Sequence, residues 1–322
     1  MQPMLTTSNL RVGYRLGKAE KILFENLNLE LAAGQLVCFM GPNGVGKSSL
    51  IRTIAGLQNA LAGEISFREH EKDPAQLISV VLTDRIASGN MTVYDLVAFG
   101  RYPYLGWNVK LSYEDEEIIY RAIAHVRIES LMEAPLHVLS DGQLQMAMIA
   151  RAIAQDTPII LLDEPTAHLD LNNRVEIMRL LRRLAKTMNK AVLVASHELD
   201  LALQTADWIW LTGRDKNILS GMPEDLVLDG SFDTIFQFKG FDLKTGKVQH
   251  QADRNLAVSI AGDGYEFLWT KNALERNGFS ISTDKTAYHI TVLKNKGSAS
   301  WLLQKPNGSF ELTSLHELIK NI

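Results

Sequence analysis

Leu36-Val-Cys-Phe-Met40 and the residues that follow it, Gly41-Pro-Asn-Gly-Val-Gly-Lys47-Ser48, decide how this chain folds. An apolar run this short, without polar alternation, predicts a strand buried on both faces, as in a parallel sheet. The segment after it fits G-x-x-x-x-G-K-[ST], and Leu50, Ile51 and Ile54 then repeat at helical spacing up to Gly56, which can end the helix. A strand, a glycine loop and a helix in that order build a phosphate cradle. The glycines allow successive backbone N–H groups to turn inward around an anion, and the helix adds its positive end. Lys47 neutralises β- and γ-phosphates, and the Ser48 hydroxyl is a ligand for Mg²⁺. Gly41, Asn43, Gly44, Gly46, Lys47, Ser48 and Ser49 are the candidate nucleotide-binding residues of this loop.

A second half-site is expected where Ile159-Ile-Leu-Leu162 runs into Asp163 and Glu164. Asp163 is placed to hold Mg²⁺ through water, and Glu164 to polarise an attacking water. Pro165 stops the strand, and Thr166 to Asp170 continue as a polar loop. Buried-strand patterns recur at Ala191–Ala195 and Trp208–Leu211 and alternate with helical stretches such as Val175–Leu184, which predicts βαβ units and an α/β core. Before this core, Leu5 to Gly34 read as paired strands. Thr92 to about Ala154 read as helical, with capping boxes at Thr92/Asp95 and Ser112/Asp115. From about Pro223 the texture changes to short strands with glycine turns at Gly262, Gly264, Gly297 and Gly308. One helix is expected near Tyr265 to Arg276 and another behind Ser314 and Glu317. The expected division is 1–222 for the main domain, with a helical subdomain over about 86–155, and 223–322 for a connector and a small α+β domain.

The chain has 322 residues, 46% of them hydrophobic and 22% charged, which fits a folded chain with a sizeable core rather than a disordered one. With 33 Lys plus Arg against 37 Asp plus Glu the net charge is −4, which argues against nucleic acid as a partner because phosphate backbones call for a basic face. Cys38 is the single cysteine, so no internal disulfide and no cysteine-rich zinc site can form, as suits a reducing compartment. The start, MQPMLTTSNL, lacks a signal-peptide pattern, and no apolar run approaches the roughly 18 residues needed to cross a bilayer.

Ser140-Asp-Gly-Gln143, preceded by Leu139 and followed some twenty residues later by the acidic strand, resembles the signature motif of ABC-type ATPases. Ser140 is also a good N-cap, so its hydroxyl, the Gly142 backbone and the helix dipole form a second anion-binding end. The resemblance covers about residues 5–222 and implies the P-loop ABC ATPase fold: a mostly parallel core sheet, an antiparallel β subdomain and a helical subdomain. It implies that ATP and Mg²⁺ are used, that Tyr14 stacks on adenine and that His197 contacts the γ-phosphate. His168-Leu-Asp170 resembles the loop at the dimer interface, and Ser140, Gly142 and Gln143 would meet the nucleotide of a second copy in a head-to-tail homodimer. Asp141 replaces the family's usual Gly, and no Gln follows Val80-Val-Leu, so Thr83 or Asp84 is expected to take its place at the metal.

The segment Thr92 to Trp107, with Tyr102, Pro103, Tyr104 and Leu105, resembles importers of iron-siderophore, haem and cobalamin substrates. That likeness implies permease subunits as partners, an extracytoplasmic substrate-binding protein acting indirectly, and a peripheral place on the cytoplasmic face of the membrane. Chromosome- or repair-type relatives would separate loop and acidic strand by a long heptad region, whereas about 110 residues lie between Lys47 and Asp163. Translation-type relatives would carry two cassettes. A soluble nucleotide-dependent regulator is the alternative that the C-terminal domain keeps open.

Overall fold

In the computed structural model the chain opens with three strands, β1 (Pro3–Leu16), β2 (Ala19–Leu27) and β3 (Glu30–Ala32), followed by β4 (Leu36–Met40), α1 (Lys47–Ile54) and β5 (Ala62–Phe67). The structure describes residues 3–17, 19–69, 71–83, 90–238, 241–243, 246–248, 254, 256–295 and 298–322. β1 pairs antiparallel with β2, β3 and β5 and forms the antiparallel sheet. All five side chains of β4 are buried, as the unbroken apolar run predicts.

After α2 (Pro74–Leu77) and β6 (Ile78–Val81) comes the helical region of α3 (Val93–Ala98), α4 (Tyr113–His125) and α5 (Asp141–Ala154). Capping boxes at Thr92/Asp95, Ser112/Asp115 and Ser140/Gln143 start these three helices. The buried Arg101, three residues past the end of α3, ties α4 to α5: its Nε donates to Asp115 Oδ1 at 2.9 Å and its Nη1 to the Ala154 carbonyl at 2.9 Å.

The chain then alternates: β7 (Ile159–Asp163), α6 (Leu171–Thr187), β8 (Ala191–Ala195), α7 (Leu199–Thr205), β9 (Trp208–Thr212) and β10 (Ile218–Gly221). The main sheet has the order β10-β9-β4-β8-β7-β6, with β10 antiparallel to β9 and the other pairs parallel. The carboxyl ends of β4, β8 and β7 therefore lie side by side, the edge of an open α/β sheet where ligands bind.

Two short helices, α8 (Pro223–Leu228) and α9 (Ser231–Phe236), follow, with Pro223 in the first turn and Gly230 in the left-handed region at φ 80°. Phe232 is fully buried, and the first compact unit runs to Gln237, against the 222/223 boundary expected from the sequence. Pro223 starts a helix here rather than a strand.

The second unit, from Phe238, contains β11 (Phe241–Asp242), β12 (Lys247–Val248), β13 (Ala257–Ala261), α10 (Gly264–Arg276), β14 (Ser280–Ser282), β15 (Tyr288–Asn295), β16 (Ser298–Lys305), β17 (Gly308–Leu312) and α11 (Leu315–Asn321). A five-stranded sheet of order β14-β13-β15-β16-β17 packs its own core around Val258, Leu274, Phe279, Ile290, Leu303 and Leu318. Asp84 and Gly297, both singled out in the sequence, lie outside the described residues. Among the described residues no helix is long and apolar enough to cross a membrane.

Candidate functional site

The turn from β4 into α1 is shaped by its glycines. A Cβ on Gly41 would lie 2.6 Å from the Thr212 carbonyl oxygen at the end of β9, so no side chain fits there. Gly46 has φ 117°, and a Cβ on it would stand 3.0 Å from the Phe24 ring. The loop can lie against the end of β9 at Gly41 and over Phe24 at Gly46 because both positions lack a side chain. Asn43 and Gly44 form its exposed crest.

Lys47 begins α1 and is buried. Its ammonium folds back over the loop, donating to the Gly41 carbonyl at 2.9 Å and the Pro42 carbonyl at 3.3 Å. Burial lowers its pKa, opposed by the charges of Glu164 and Asp163. The next residue, Ser48, donates from its hydroxyl to Asp163 Oδ1 at 3.0 Å. Asp163 is buried at the end of β7, and that burial raises its pKa while the Ser48 hydroxyl works against the rise. A hydroxyl and a carboxylate oxygen converging beside the phosphate loop are the hard-oxygen pair that suits a small divalent cation such as Mg²⁺. Ser49 is buried and its hydroxyl bonds the Tyr14 hydroxyl at 2.5 Å, leaving the Tyr14 ring 43% exposed.

Glu164 follows in the left-handed region at φ 48°, anchored by its backbone N–H to the Ala195 carbonyl at 2.9 Å. The chain leaves β8 at that same carbonyl, which carries His197 across: its Nδ1 stands 3.7 Å from Glu164 Oε1. Thr83 helps to line a cavity of about 90 Å³ that Asp141, Glu164 and His168 also face. Lys47, Ser48, Asp163, Glu164 and His197 thus gather on one sheet edge.

Ser140 caps α5 by accepting from the Gln143 backbone N–H at 3.3 Å, and Gln143 Oε1 accepts the Ser140 N–H at 3.0 Å. Ser140 and Gln143 are exposed, whereas Gly142 is buried. A Cβ on Gly142 would lie 2.9 Å from the Asn173 amide, so glycine is needed for close packing. Asp170 caps α6 by accepting from the Asn173 N–H at 2.9 Å. Among the described residues, no hydrogen bond joins the Ser140 end to the Lys47 loop.

Three nearby residues are not singled out by sequence motifs: Asn173, Arg174 and Glu198. Arg174 Nε donates to the Leu169 carbonyl at 2.6 Å, and its Nη1 donates to Glu198 Oε1 at 2.8 Å. Spacing from Asp170 and adjacency to His197 are the only signals that mark them in sequence.

Residues 24–167 match the ABC transporter family, and residues 255–322 match the iron ABC transporter C-terminal domain. The petrobactin import ATP-binding protein FpuD of Bacillus anthracis is 36% identical over 74% of this chain and 88% of its own length. An uncharacterized ABC transporter ATP-binding protein of Methanocaldococcus jannaschii, MJ0873, is 37% identical over 77% of this chain and 89% of its own. The ferric enterobactin transport ATP-binding protein FepC of Escherichia coli K12 is 32% identical over 69% and 84%. Among solved structures, an inward-facing ABC transporter described as of metal-chelate type superposes with a TM-score of 0.65 at 28% identity, covering 73% of this chain and 90% of that one. The dimeric cassette MJ0796 superposes with a TM-score of 0.59 at 26% identity, covering 68% and 99%.

Proposed function

The chain belongs to the ABC transporter family of ATP-binding proteins, and on that footing we propose that it hydrolyses ATP to power import of an iron-siderophore, haem or cobalamin-like chelate through a membrane permease. The chelate class draws on the petrobactin and enterobactin systems of the relatives and on the iron-type C-terminal match. One observation carries the ATPase assignment: adjacent parallel strands deliver Lys47 and Ser48, Asp163 and Glu164, and His197 to a single edge.

Each group has a task that follows from its placement. Lys47 exchanges its loop carbonyls for the β- and γ-phosphate oxygens of ATP, and the backbone N–H groups from Gly41 to Ser49 close around the β-phosphate. Ser48 directly, and Asp163 through water, would hold Mg²⁺, which when bound neutralises charge between the β- and γ-phosphates. Thr83 is the described residue nearest the missing Gln position. Glu164 accepts a proton from the attacking water, and His197, beside it, donates to a γ-phosphate oxygen. Tyr14 offers its exposed ring to adenine.

The Ser140 end, with Gly142, Gln143 and the α5 dipole, completes the site on the nucleotide of a second copy, with Asp170 at the seam. This explains why one chain has two anion-binding ends and one phosphate loop. The permease is gripped by the exposed Tyr102 and Trp107 and by a groove of about 560 Å³ whose lining includes Leu57, Pro74, Ile78, Leu82, Met148 and Arg151. The chain is then peripheral, on the cytoplasmic face. We assign the second unit a regulatory part in the same transporter.

ATP hydrolysis by the purified chain tests this. Glu164→Gln should bind ATP, lose hydrolysis and accumulate a dimer on gel filtration. Hydrolysis at the parent rate would overturn the assignment of the base.

A further inference from the structure

Away from the phosphate loop, the first compact unit carries a groove of about 490 Å³ between the end of α4, α5 and one side of α6. Arg179 and Arg183 line its α6 wall, four residues apart and therefore on one helix face. Arg183 joins the two walls by donating from Nη2 to the His125 carbonyl, in the last turn of α4, at 2.9 Å. Two residues beyond that turn, Arg127 lies in the left-handed region at φ 59° and lines the groove from the opposite wall. Val126, Met146 and Leu180 supply the buried apolar part of the lining. Other cations of α6 have carboxylate partners: Arg174 meets Glu198 at 2.8 Å and Lys186 meets Asp207 at 2.9 Å. Among the described residues, no ion pair or hydrogen bond engages the Arg127 or Arg179 guanidinium, and Glu176, the one carboxylate of the lining, pairs with neither. Three guanidinium groups against one carboxylate give the groove a local charge of 3 − 1 = +2, on a chain whose net charge is −4.

We propose that this groove binds a phosphorylated small molecule of nucleotide size, at a site distinct from the Lys47 loop. The guanidinium fork matches the oxygens of phosphate and of carboxylate. Phosphate is the better match for three forks, because it offers three terminal oxygens where a carboxylate offers two. Like charges gathered without a counter-ion of their own gain most from an anion that lies among them, and the apolar side chains beside them suit the flat, weakly polar body of a base. The volume falls in the range of ligand clefts, roughly 300–1,000 Å³. An occupant would touch the end of α4, α5 and α6 together, and it would meet none of the residues from Gly41 to Ser49. The site therefore does not depend on the transport reading above.

The test titrates AMP into the full chain by isothermal calorimetry, with parent, Arg127→Ala, Arg179→Ala and Lys47→Ala compared. Each arginine variant should weaken binding about tenfold, the loss of a hydrogen bond between charged partners. Lys47→Ala should leave this binding within about twofold, because the phosphate loop is a separate site. Inorganic phosphate should bind at least about tenfold more weakly than AMP, since it leaves the apolar lining unused. Arg127 and Arg179 are exposed and unpaired, so both variants should melt with the parent; if one fails to fold, the other carries the test. AMP binding that vanishes in Lys47→Ala and survives in both arginine variants would overturn the proposal, as would a parent that does not bind at millimolar AMP. A hexaglutamate peptide that binds where AMP does not would assign the groove to an acidic protein segment and overturn it too. Loss of ATP hydrolysis in the parent would overturn the functional reading and leave these titrations unaffected.

Discussion

Replacing Arg101 by Met keeps much of the side-chain volume and removes the charge that joins α4 to α5. The Arg101 and Asp115 side chains are only 7% and 12% exposed, and their Nε···Oδ1 distance is 2.9 Å. Without the guanidinium, the Asp115 carboxylate stays buried with only its Ser112 partners, and the Ala154 carbonyl loses its donor. Breaking a buried pair on one side costs about 3–5 kcal/mol. For a unit of this size each kcal/mol lowers the unfolding midpoint by about 2–4 °C, so a drop of roughly 6–20 °C is expected. Circular dichroism melts of parent and Arg101→Met measure it. The gap should also depend on pH. Burial alone would raise the Asp115 carboxyl, but the Ser112 and Arg101 hydrogen bonds outweigh it and hold the group below its usual value. The pair therefore contributes fully above the unfolded carboxylate pKa of about 3.9 and fades as pH falls below it, so the two melts should converge in acid. A midpoint shift under about 2 °C at pH 7 would refute the reasoning.

Burial pushes the Cys38 thiol up to about 12, with Asp207 adding to the rise, so iodoacetamide at pH 8 should leave the native protein unmodified and label it after denaturation. Gly41→Ala should abolish ATP binding and lower stability by about 1–3 kcal/mol, since its methyl would meet the Thr212 carbonyl; equilibrium dialysis and urea unfolding check both. Truncation after Gln237 should leave ATP hydrolysis within about threefold of the full chain, whereas truncation after Met222 removes the buried Leu226 and Phe232 and should cost about 3–6 kcal/mol, read by melting and turnover.

What the sequence reveals and what it hides divide along a physical line. The phosphate loop and the capping boxes are local patterns, in which the groups that define them find partners within a few residues, and the acidic strand end is marked by the unbroken apolar run before it, so spacing is enough to place them. The contacts among Asn173, Arg174, Gly142 and Glu198 join residues distant in sequence and have no period. The first turn of α6 shows why: Leu171 is 68% exposed and two Asn follow it, so the apolar stripe starts only at Val175, and a reading by periodicity starts the helix late. The helices α8 and α9 were hidden for another reason, being too short to show a stripe. Lys47 folding over its own carbonyls and Tyr14 bonded to Ser49 are likewise through-space facts that no motif records.

The most direct measurement is a structure of Glu164→Gln with ATP and Mg²⁺. The account predicts two triphosphates buried in a head-to-tail pair, each gripped by Lys47 from one protomer and capped by Ser140 from the other. Triphosphates bound with Ser140 remote from both, in the assembled pair, would contradict it.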